Sequence, residues 1–273
     1  MNNIWITTGY TVREALARKV FLFFLGLSAL AIIISAIVVN IISDSTLMGG
    51  VDFKQGGIVV NEIATSIELI IITPLTSLCV LLAIFSTASF VPVMLEKGNI
   101  DLLLSKPISR TQLLIGKFCG GLLVVLINVA FLVIGVWAVV SLRFSYFDFT
   151  FLSIILSVTF AFAVLYSLIV LFGVITQGSV LGMMLAYFIF LILSPLLYMG
   201  KEQFSVIIKS DFINSLIDVF YYIIPKTSEL MGETTINLAI GKGIVDTQPI
   251  LTSLAFMFAA LGYSIYLFNK KDF

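Results

Sequence analysis

Val20-Phe-Leu-Phe-Phe-Leu-Gly-Leu-Ser-Ala-Leu-Ala-Ile-Ile-Ile-Ser-Ala-Ile-Val-Val-Asn-Ile-Ile42 holds no Asp, Glu, Lys or Arg. About 20 predominantly apolar residues in a helix cross about 30 Å of hydrocarbon. In lipid a single span must satisfy its own backbone hydrogen bonds, so this stretch reads as a spanning helix. It is too long for the apolar core of a secretory leader, and no small-residue cleavage site follows it, so it is expected to remain as an anchor.

Five more runs of the same kind follow: Leu69–Leu95, Phe118–Leu142, Thr150–Ile175, Leu181–Met199 and Leu251–Phe268. The expected fold is all-α, a polytopic membrane protein with six transmembrane helices forming one transmembrane domain over 1–273. Pro74, Pro92 and Pro195 stand inside runs and predict kinks, because proline removes a backbone donor. Composition agrees with this class. Of the 273 residues 60% are apolar and 11% charged, against roughly 25% charged in an average soluble domain, and mean hydropathy is +1.17. A soluble globule could not cover that much apolar surface, and disorder needs the opposite composition. Basic and acidic residues number 15 each, so there is no net basic field for nucleic acid.

Histidine is absent, which removes Ser-His and Cys-His nucleophile pairs and His-ligated zinc. Cys79 and Cys119 lack CxxC spacing and read as small apolar residues, with no disulfide framework. None of the six runs contains an ionisable Asp, Glu, Lys or Arg; Glu68, Glu96, Lys117 and Arg143 mark run ends. Ion-coupled carriers and pumps usually place charges at membrane depth, so a self-energised ion-coupled transporter is not expected. No G-x-x-x-x-G-K-[ST] phosphate loop occurs, since Gly116-Lys117 lacks both the earlier glycine and the hydroxyl that follows. Any ATP must be bound by another subunit. Asn128, Ser28, Ser35, Ser86, Thr87 and Ser89 are read first as helix-to-helix hydrogen-bonding groups, with contact to a cargo as the alternative.

Lysine and arginine placement sets topology. Arg13, Arg18, Lys19, Lys97, Lys106, Arg110, Lys117, Lys270 and Lys271 fall on one side, nine of the fifteen bases with only four acids. Both termini and the loop 96–117 are therefore expected in the cytoplasm. On the other side the longest connection, 200–250, carries Phe212, Ile213, Leu216, Ile217 and Phe220 at helical spacing. That pattern predicts an amphipathic outer helix ended by Pro225.

The cytoplasmic segment reads Glu96-Lys-Gly-Asn-Ile-Asp-Leu-Leu-Leu-Ser-Lys-Pro-Ile-Ser-Arg-Thr-Gln-Leu-Leu-Ile-Gly-Lys117. Leu102, Leu103 and Leu104 form an apolar knob between polar ends. Pro107 pushes the residue before it out of the helical region. Ser109 and Gln112 fit a capping box that would start the third span's helix. Tied to two spans, such a segment is either a handle for a soluble partner or an elbow resting in lipid headgroups.

The same segment resembles the signature region of type-2 ABC-exporter permeases, through Glu96, Lys97, Asn99, Asp101, Leu103, Leu104, Ser105, Pro107, Ser109, Arg110, Gly116 and Lys117. Arg13-Glu14-Ala15-Leu16 with Arg18-Lys19 resembles that family's elbow helix. The ending Phe268-Asn-Lys-Lys-Asp-Phe273 is similar to its basic aromatic tail, and Ile224-Pro225-Lys-Thr-Ser-Glu229 to a stretch before its last span. Among subfamilies the chain looks closest to permeases related to the copper-maturation system of nitrous oxide reductase. The resemblance implies a permease subunit in the cell membrane (plasma or inner membrane) that exports a substrate. It implies a homodimer, or a heterodimer with a similar permease, docked to ABC ATPase subunits. Glu96, Asn99, Asp101, Leu102, Leu103, Leu104, Ser105, Pro107 and Arg110 would form the coupling helix and its flank, and Arg13, Glu14, Arg18 and Lys19 the elbow. No catalytic residue, bound cofactor or metal is implied for this chain; ATP and Mg are implied on the ATPase. A membrane scaffold or assembly factor without transport, and an intramembrane enzyme, are the alternatives.

Overall fold

The computed structural model describes residues 2–17, 19–44, 58–96, 98–100, 108–199 and 219–271. Six helical segments in it are long and apolar enough to cross a membrane: Phe21–Ile41, Ala64–Leu95, Arg110–Phe144, Phe149–Thr176, Val180–Met199 and Gln248–Lys270. Each overlaps one of the six apolar runs, and among the described residues there is no strand. We label the helices α1 (Asn2–Ala17), α2 (Lys19–Asp44), α3 (Ile58–Thr87), α4 (Phe90–Leu95), α5 (Arg110–Phe144), α6 (Ile154–Thr176) and α7 (Val180–Phe188). After α7 a π turn, Ile189–Leu193, leads into helix through 199. A stretch made of Thr227–Glu229, a π turn Leu230–Thr234 and Thr235–Ala239 is α8, and Gln248–Lys270 is α9.

Helix α6 is the axis of the bundle. Most of its side chains are buried, among them Phe162, Val164, Leu165 and Tyr166. It packs against α5, α7 and α9. Phe118 of α5 and Phe162 of α6 stack on the Tyr166 ring, with centroids 5.4 and 5.3 Å away. The outer faces of α2, α7 and α9 stay apolar and exposed, at Phe23, Ile33, Met184, Phe188, Phe258 and Tyr266 for example. A surface like that suits lipid and not water. Inside, Ser28 of α2 donates to Asn128 Oδ1 of α5 at 2.8 Å, while Ser35, Thr76, Thr87, Ser167 and Ser264 return their hydroxyls to carbonyls of their own helices. Of these, only the Ser28–Asn128 bond joins two helices as expected; Ser35 and Thr87 satisfy backbone carbonyls of their own helices instead. Cys79 is buried and Cys119 half-buried, and both are free.

The prolines act locally. Helix α3 continues through Pro74. The second span breaks at Ala88-Ser89 instead, four residues ahead of Pro92, whose ring would collide with the carbonyl four places before it. Likewise the π turn Ile189–Leu193 immediately precedes Ser194-Pro195, which relieves the same collision without ending the helix.

One span boundary and one helix differ from expectation. Helix α3 starts at Ile58, well before Leu69, so Glu68 lies inside the helix and inside the candidate span from Ala64. It is fully buried, and neither carboxylate oxygen has a hydrogen-bond partner among the described residues. Lys117 is also internal, since α5 starts at Arg110. The second difference is α8, which no span-length run announced. Leu230 and Ala239 are fully buried, and Ser157 of α6 bonds the Thr235 hydroxyl at 2.7 Å and the Leu230 carbonyl at 3.2 Å. Of the amphipathic pattern in the 200–250 connection, only Phe220 falls among the described residues. Helix over 219–223 does stop just before Pro225.

Candidate functional site at one end of the bundle

The start of α5 is fixed by local chemistry. Ser109 is extended at φ −71 and ψ 149. Its hydroxyl accepts from the Gln112 N–H at 3.2 Å, and the Gln112 side chain accepts from the Ser109 N–H at 3.3 Å. That is the expected capping box, satisfying two otherwise orphaned donors.

Helix α1 lies along the first turns of α5. Thr7, Thr8, Thr11 and Ala15 face inward, while Trp5, Ile6 and Tyr10 are exposed. Gly116 and Gly120 permit the approach: a Cβ on Gly116 would stand 2.6 Å from the Thr7 Cβ, and one on Gly120 would stand 2.5 Å from the Thr11 Cβ. The Thr8 hydroxyl donates to the Gly116 carbonyl at 3.3 Å. Between the two glycines Lys117, only 3% exposed, meets Glu14 Oε2 at 2.6 Å. Small residues four apart on facing helices are a common way to bring backbones together at membrane depth.

The chain's end closes the same face. Arg110 Nη1 donates to the carbonyls of Phe268 at 3.4 Å and Asn269 at 3.5 Å, and also to that of Lys271. Asn269 donates to the Thr111 hydroxyl at 3.2 Å. Lys271 reaches α6, where its ammonium bonds the Val174 carbonyl and, at 3.2 Å, that of Ile175. The last carbonyls of a helix lack intrahelical partners and carry partial negative charge, so cations settle there. Helix α4 arrives at this end too, with Pro92 within reach of Gly173 near the end of α6. After it Glu96 caps α4, Gly98 takes a positive φ of 92, and Asn99 returns its amide to the Val93 carbonyl at 3.0 Å.

Among the sequence-predicted site residues, Glu96, Asn99, Arg110, Arg13 and Glu14 are thus gathered at one end of the bundle, with Glu96, Asn99 and Arg13 exposed. Asp101, Leu102, Leu103, Leu104, Ser105, Pro107 and Arg18 lie outside the described residues, and Lys19 is described only as the start of α2. Arg110 is half-buried and turned toward the tail. The residues missed from sequence are Thr7, Thr11 and Gly120; Gly116 was singled out only through the family resemblance, and the matched four-residue spacings were the available signal.

Among the described residues no group of three or more His, Cys, Asp or Glu is placed to hold a metal. Six apolar spanning helices, a core of interlocked side chains and two chain ends meeting beside one connection define a multi-pass membrane protein. Its family follows from comparison: the profile of the ABC-2 family transporter proteins matches residues 12–273, and the chain belongs to that family. It is a membrane component of ABC-2 transport. None of the curated proteins compared with it matches.

Proposed function

We propose that this chain is the permease subunit of an ATP-binding cassette exporter, powered by a separate ATPase that docks on the connection from Glu96 to Ser109. The observation that carries the reading is the family match over 12–273, joined to a sequence with no phosphate loop of its own. Support comes from the layout at that end. The chain's two ends and the flanks of the connection are laced together there, so force applied to the connection enters the bundle at a rigid place. The excess of basic residues on this side favours the cytoplasm of a cell membrane. Two such permeases, alike or closely similar, with two ATPase subunits would complete the transporter.

In this scheme ATP, with Mg, binds the partner. Nucleotide shifts the permease between inward and outward states only by binding the two with different affinity. Burial of Glu68 one turn inside its span, at the end remote from the chain termini, leaves mid-membrane free of described charged side chains. An amphipathic or hydrophobic cargo fits that lining. On likeness of sequence we place the chain nearest the copper-maturation type of permease.

The test is co-purification. Leu103→Asp and Asp101→Lys, expressed with the ATPase, are expected to release it while membrane insertion and α1 protection persist. Lys242→Ala, in an exposed turn at the other end, is expected to retain it. An undiminished complex and unchanged ATPase coupling in both loop variants would contradict the reading.

A further inference from the structure

Arg110 belongs by sequence to the docking flank, yet its guanidinium faces into the protein, onto the carbonyls that end α9. We propose that Arg110 is a positioning residue, and that the tail Phe268–Lys271 is a strut carrying motion of the docking connection to α9 and α6. The proposal rests on the ATPase-docking reading above and adds the route that the motion takes.

Three features make the strut. Its input is stiff, because Arg110 is the first residue of α5 and the capping box beside it keeps that turn wound when the connection is pushed. Its body is anchored, because Phe268 is fully buried and Asn269 bonds Thr111 at 3.2 Å, a second tie to α5. Its output divides. The Lys271 N–H still bonds the Leu267 carbonyl of α9 at 3.1 Å, while its ammonium crosses to the carbonyls of Val174 and Ile175 on α6. Charge-assisted bonds of this sort are roughly twice as strong as neutral ones. Both cations sit at helix C-termini, where the backbone's partial charge favours them.

Helix α9 needs such a link. It packs chiefly on α6, and Leu251, Phe258, Tyr263 and Tyr266 leave its other faces exposed. Arg110 and Thr111 hydrogen-bond its last residues to the helix that leads out of the docking connection.

The experiment uses the full-length permease with its ATPase in nanodiscs, with amide exchange followed with and without ATP plus vanadate. In the parent complex nucleotide is expected to change exchange at 108–117 and also at the remote ends of α6 and α9, around 154–160 and 248–254. Arg110→Ala is expected to keep the response at 108–117 and to lose more than half of the remote response. Arg110→Lys, which keeps the charge on a different head group, should recover part of it. A residue that merely held the fold together would raise exchange without nucleotide, a change not expected here. Lys271→Met leaves α5 untouched and is expected to weaken the remote response in the same way, so it carries the test if Arg110→Ala does not assemble. A full remote response in either variant overturns the strut alone. A parent complex silent at 108–117 overturns the docking reading, and the strut with it.

Discussion

Replacing Gly116 and Gly120 together with leucine is expected to detach α1 from α5. The first atom each side chain adds would already lie 2.6 or 2.5 Å from a threonine Cβ, and both threonines sit on a helix whose backbone cannot retreat without losing the Thr8 bond to the Gly116 carbonyl. Overpacking of this kind typically costs about 2 kcal/mol per site. The strain has one cheap outlet, because the far face of α1 is exposed at Trp5, Ile6 and Tyr10. Amide exchange over 2–17 should therefore accelerate about thirty-fold or more, with 2 kcal/mol being roughly a thirty-fold change in an equilibrium. Exchange in α6 should barely change. Alanine at both sites should give a weaker version of the same effect. Unchanged protection of 2–17 in the leucine variant would show that the close approach of α1 does not hold it.

The second large effect is expected at the ion pair these glycines flank. Glu14→Gln leaves Lys117, 3% exposed, facing a neutral amide at the distance of its former partner. Removing one partner of a buried pair costs about 3 kcal/mol or more, because the remaining charge stays desolvated. Tyr10, whose ring centroid lies 5.8 Å from the ammonium, offsets only a little of that. Lys117→Met should cost about 1 kcal/mol, because it removes the deeply buried charge and leaves the carboxylate, which is 23% exposed, able to draw on water. The double variant should be more stable than Glu14→Gln alone. Equilibrium denaturation of the three proteins in one mixed micelle checks the order, and equal losses for both single variants would contradict the burial asymmetry.

The fold was legible where a single constraint dominates. Crossing a bilayer demands length and apolarity, and all six runs became spans. The capping box at Ser109 and Gln112 was legible because it is local, needing two residues three apart. Boundaries were harder. Ile58–Leu69 carries Asn61, Glu62 and Glu68, so hydropathy alone hid that α3 had already begun. Helix α8 was hidden because its burial comes from partners distant in sequence, Ser157 and the turn before α6, and its own residues alternate polar and apolar over too few turns. Arg110 shows a different gap. Its residue type and place suited docking, but its direction is set by carbonyls some 160 residues away, which no local pattern encodes. The matching spacings of Thr7 with Thr11 and Gly116 with Gly120 were present in the sequence but needed the α1–α5 pairing to acquire meaning.

We propose above all that this chain takes its energy from a separate ATPase. Photolabelling the gently extracted native complex with azido-ATP tests it most directly. The account predicts label on a co-purifying chain, none on this 30.0 kDa polypeptide, and loss of the labelled band from the purified sample after Leu103→Asp. Nucleotide-protectable label on this chain itself, in the absence of any other protein, would contradict it.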